Sequence, residues 1–69
     1  MMTMNNVSYD LLTVLQSKLE GLAAYDKYIQ DCQSDPQMRQ VFEQIKQQDQ
    51  QQVQYLRSEI ERLVKSGKF

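Results

Sequence analysis

One break divides this chain, and it leaves few folds open. The run Gln33-Ser34-Asp35-Pro36 is its only strong punctuation, and on either side apolar residues recur at helical spacing for roughly seven turns. Asp35 suits an N-cap. Pro36 suits the first helical position, where a missing N–H would have no partner anyway. A second helix is therefore predicted over 36–65, with Ser66-Gly67 as its stop and Lys65 favourably placed at its C-terminal end. The first is predicted over about 8–33, capped among Asn5, Asn6 and Ser8, with Asp10 near its positive end. A connection spanning only 33–36 leaves no room for a crossover, so the two helices must run antiparallel as a hairpin.

Each helix carries a stripe. Taking Asp49 as the origin at about 100° per residue, Met38, Phe42, Ile45, Val53, Leu56, Ile60 and Leu63 fall within roughly 40° of it. Around Leu22, the residues Leu11, Leu15 and Ile29 lie within roughly 20°, while Leu12, Leu19, Tyr25 and Cys32 widen the stripe to about 80° on either side. Leu11, Leu15, Leu22, Ile29, Phe42, Ile45, Leu56 and Ile60 are the expected core and dimer contacts. Gly21, beside Ala23 and Ala24, reads as a point of close helix approach. The tract from Gln47 to Gln54 is low in complexity, but glutamine is a good helix former and the apolar period runs through it, so it reads as a polar helix face. The spacings Arg39/Glu43, Arg57/Glu61 and Glu61/Lys65 describe a solvated, coiled-coil-like exterior.

Composition narrows what such a hairpin can do. One cysteine, Cys32, rules out an intrachain disulfide, and it reads as a small packing residue in a reducing, cytoplasmic setting. No histidine is present, which removes the commonest general base and transition-metal ligand. Net charge is −1 with both signs interspersed, so nucleic acid and anionic lipid are not expected partners. Met1 to Asn6 lacks the basic start and apolar run of a signal peptide, and no segment has the length and apolarity of a membrane span. There is no nucleophile with a base, no phosphate loop and no zinc spacing, so no catalytic residue and no cofactor is expected.

A chain of 69 residues is near the size at which one core is marginal alone, and each stripe is wider than one partner helix covers. Two hairpins are thus expected to pair as a C2 homodimer, an all-α four-helix bundle, because a self-complementary patch closes without polymerising. Antiparallel pairing about Ser34 matches residues whose numbers sum to about 69, which brings Lys18 within a turn of Asp49 and Gln52. Those three side chains form an expected polar layer at one level of an apolar bundle. Lys18 balances the charge of Asp49 and Gln52 hydrogen-bonds to either, a device that can fix register and oligomeric state. Tyr25 and Tyr28 read as interface aromatics, and Asp26 as an edge partner of Arg39 or Lys46.

The pattern resembles half of a ferritin-like, rubrerythrin-type four-helix bundle. The likeness rests on Leu11, Leu12 and Leu15 leading to position 18, Tyr25 seven residues after it, and Phe42 ahead of Asp49-x-x-Gln52. In that family each hairpin supplies one glutamate and a Glu-x-x-His, and two hairpins enclose a di-metal site. The resemblance implies the fold. Its ligand positions fall here on Lys18, Asp49 and Gln52, a degenerate set.

The leading expectation is thus a non-enzymatic homodimeric structural or protein-interaction module without a metal. A carboxylate cation site at Asp49 and Gln52 is the alternative. A third reading has the exposed trough take a helix from another protein.

Overall fold

The computed structural model describes residues 5–69, so most of the N-terminal stretch behind the targeting expectation lies outside the described residues. Two helices, α1 (Asn6–Asp31) and α2 (Pro36–Lys65), pack against each other, and among the described residues there is no strand. The molecule measures 53 × 20 × 12 Å. It is two helices wide and about one helix diameter thick, so the seam between the helices lies close to solvent on both broad faces. Val53, at 5 % exposure, is the one apolar side chain fully shielded among the described residues.

Local chemistry sets the ends of both helices. Asp35 caps α2 by accepting from the Met38 N–H at 3.1 Å, and Pro36 takes the first turn, as its sequence predicts. At the other end Gly67 has φ of 71°. The Gly67 N–H donates to the Val64 carbonyl at 3.1 Å and the Lys68 N–H to the Leu63 carbonyl at 2.8 Å, which together make a Schellman stop. Between the helices Cys32 is the half-buried C-cap of α1, and the backbone turns through a bond from Asp35 N–H to the Cys32 carbonyl at 3.0 Å.

α1 begins two residues earlier than Ser8, and the reason is tertiary. Asn5 Oδ1 accepts from the Ser8 N–H at 2.8 Å, making Asn5 the N-cap, while its Nδ2 donates to the Lys68 carbonyl at 2.9 Å. Ser8 lies inside the helix, where its Oγ donates to the Phe69 carbonyl at 3.0 Å, and it is fully buried. A single asparagine therefore caps one helix and holds the segment that follows the other. α1 also ends at Asp31, two residues short of the expected 33, because the turn begins at Cys32.

The seam is narrower than the stripes. Leu11, Leu15, Lys18, Leu22, Tyr25, Ile29 and Cys32 recur at alternating intervals of three and four along α1, and all are half-buried. On α2 the half-buried or buried residues of the stripe are Phe42, Ile45, Asp49, Val53, Leu56, Ile60 and Leu63. Leu12 and Leu19 lie outside this seam and are exposed, as is Met38. A pair of helices shields only the line along which they touch, so the outer parts of a 160° stripe stay in solvent.

Candidate functional site: a polar layer at mid-hairpin

At the middle of the seam the apolar run is interrupted on both helices at one level. Lys18 faces Asp49, with Nζ 3.5 Å from Oδ1, and their side chains keep 34 % and 20 % of their surface. Opposite charges meet because the short turn fixes the register, which also places Tyr28 of α1 against Phe42 of α2, ring centres 6.1 Å apart. The carboxylate is half-buried rather than sealed in, so water still screens the pair.

Tyr25 completes the layer, one seam position beyond Leu22. Its hydroxyl is pushed above the ordinary tyrosine value, first by partial burial, then by the Asp49 carboxylate, and least by Tyr28. Among the described residues the one side-chain hydrogen bond to the Asp49 carboxylate comes from Lys18, and Tyr25 lies near enough to feel the carboxylate's charge. The Tyr25 ring meets Tyr28 edge to face at 5.5 Å, which ties the layer to the aromatic contact with Phe42. Sequence reasoning had Tyr25 only as an interface aromatic. The signal lay in its position, seven residues after Lys18 on the same helical face.

Gln52 stands elsewhere. It is exposed, and among the described residues no hydrogen bond joins it to Lys18 or Asp49. It lines a shallow groove of about 490 Å³ with Val14, Lys18, Gln48, Gln51, Tyr55 and Leu56. One turn beyond Asp49, Gln52 has rotated away from the seam centre by about 60°. Asp26 pairs with Lys46 at 3.0 Å, one of the two partners foreseen. Of the charge spacings, Arg39/Glu43 and Glu61/Lys65 close at 4.0 and 3.1 Å, whereas Arg62 pairs with Glu59 at 2.6 Å.

These donors do not fit a divalent cation of the di-metal kind. Among the described residues no three His, Cys, Asp or Glu side chains converge, and the Asp49 carboxylate already faces an ammonium. A cation held by Asp49 and Gln52 would have to sit beside the positive charge of Lys18. What the layer can do chemically is hold a charge-balanced, hydrogen-bonded pair inside an apolar seam.

The chain matches no family model, no curated protein and no solved structure. Among the described residues no helix is long and apolar enough to cross a membrane.

Proposed function

We propose that this chain works as a non-enzymatic homodimeric module, structural or protein-binding, in which two hairpins pair into a four-helix bundle. The observation that carries this reading is the row of unshielded apolar side chains on either side of the seam. Only Val53 is buried among the apolar side chains described, while Val7, Val14, Leu19, Tyr28, Met38, Val41, Tyr55 and Val64 stand exposed. A ribbon one helix thick cannot enclose a core, and a second ribbon laid on it can.

The surface area supports the same reading. The chain exposes 5682 Å², against about 4,500 Å² for a compact monomer of its mass. Discounting the four N-terminal residues at their fully extended surface, about 700 Å², still leaves an excess of about 500 Å². That is close to the roughly 600–1,000 Å² that each partner gives to a stable interface.

In this bundle the Lys18–Asp49 pair stands at the level where the ferritin-like architecture places its metal ligands, and serves as a register-setting layer instead. The single free cysteine is consistent with a reducing cytoplasmic setting for the module. The test is solution mass. Light scattering at micromolar concentration should give twice the chain mass, with a melting temperature that falls on dilution. A monomeric mass with melting unchanged by dilution refutes the reading.

A further inference from the structure

The most deeply buried side chain among the described residues is a serine, and it stands where α1 has least to hold it. Ser8 occupies the seam position before Leu11, since 8, 11, 15 and 18 repeat at intervals of three and four. Its exposure is 0 %, while Asn5, Asn6, Val7, Tyr9 and Asp10 around it are all exposed. The first turns of α1 thus have little apolar packing of their own, and the leading N–H groups of a helix find no partner within it. What reaches this end is the segment after α2. Ser8 Oγ donates to the Phe69 carbonyl at 3.0 Å, and Asn5 Nδ2 donates to the Lys68 carbonyl at 2.9 Å. That segment is itself turned back by Gly67, with φ of 71°, and the Lys68 and Phe69 N–H groups both donate to the Leu63 carbonyl, at 2.8 and 3.2 Å. A run of bonds therefore leads from the backbone turn at Gly67 to the first turn of α1.

We infer that residues 66–69 act as a strap over the open end of the hairpin, and that the order of the first turns of α1 depends on the strap being closed. Lifting it returns Ser8, the Asn5 amide and two carbonyls to water, so this opening needs no break in the seam from Leu15 onward. The partners it joins are 63 and 61 positions apart in the sequence, yet they open and close together. The strap belongs to the single hairpin and does not depend on how hairpins pair. Local helix rules point the other way, which makes the inference testable. Ser8→Ala places the best helix former in α1, and Asn5→Asp keeps a capping oxygen while adding a negative charge at the helix N-terminus. By propensity and capping alone, each variant leaves α1 as firm or firmer. By the strap, each loosens it: Ser8→Ala deletes the donor to Phe69, and Asn5→Asp sets a carboxylate against carbonyl oxygens.

The experiment is amide hydrogen exchange on the full chain, read by NMR at 8–12, at 67–69 and, as a reference, at 45–56. Gly67→Ala tests the coupling from the far side, because its backbone conformation strains any residue with a Cβ, while the added Cβ would meet nothing within 4 Å and so touches no residue of α1. Gly67→Ala should speed exchange at 67–69 and also at 8–12 by about threefold or more. Ser8→Ala and Asn5→Asp should do the same at both ends, with 45–56 held within about twofold in all three variants. Unchanged or slower exchange at 8–12 in any of the three overturns the inference, since α1 would then be ordered by its own cap and propensity. Exchange that speeds equally over 45–56 overturns it too, because the ends would open only with the whole molecule.

Discussion

Removing Asp49 should cost different amounts in one hairpin and in two. At 3.5 Å a unit charge pair is worth about 1 kcal/mol in bulk water and below about 5 kcal/mol at an effective dielectric constant of 20. Lys18 and Asp49 keep 34 % and 20 % of their side-chain surface, so within a lone hairpin the screened value applies, about 0.5–1 kcal/mol. If a second copy covers the groove, the same deletion strands an ammonium away from water and should cost about 3–5 kcal/mol. The assay is a double-mutant cycle of Asp49→Leu, Lys18→Met and their combination, by urea unfolding above and below the dimer dissociation constant. The coupling energy should rise with dimerisation, and under dimer conditions the double variant should be near wild type or more stable. Two results refute the reasoning: a coupling below about 0.3 kcal/mol in the dimer, or a double variant no milder than Asp49→Leu.

Leu15→Asp or Phe42→Asp, each at a seam position, should abolish dimer and helix together, seen as coincident loss in sedimentation and circular dichroism; a compact dimer in both variants would mean the seam is misplaced. Asn5→Ala removes the cap of α1 and the bond to Lys68 at once and should destabilise by about 1–2 kcal/mol in thermal unfolding, more than an ordinary surface substitution. Because the Tyr25 hydroxyl titrates above its ordinary 10.0 in the folded state, it lends stability that is complete below that pH and is lost as pH rises through the raised value; urea titrations at alkaline pH should show a smaller loss in Tyr25→Phe. Chelator or added manganese should leave the wild-type melting temperature unmoved, whereas Lys18→Glu, Asp49→Glu and Gln52→His combined should make it respond to both.

Much of the hairpin was legible because its signals are local. Asp35 and Pro36 start α2 through bonds reaching only three residues, and Ser66-Gly67 ends it through backbone geometry that glycine adopts at little strain. The opposition of Lys18 and Asp49 was legible too, since a short turn leaves one antiparallel register. Periodicity set the direction of each stripe, but its width overstated what two helices bury, and Leu12 and Leu19 stand in solvent because a ribbon one helix thick shields a single line. Met38, near the stripe centre, is exposed in the first turn of α2, where α1 has already ended at Asp31. Gln52 fell outside the layer for a related reason: three residues carry a side chain some 60° past alignment, enough to move it from seam to groove. Only the tertiary structure decided that Asn5 rather than Ser8 caps α1 and that Ser8 is buried, because both bond to backbone carbonyls of residues 68 and 69, and a carbonyl leaves no mark in the sequence of the segment that offers it.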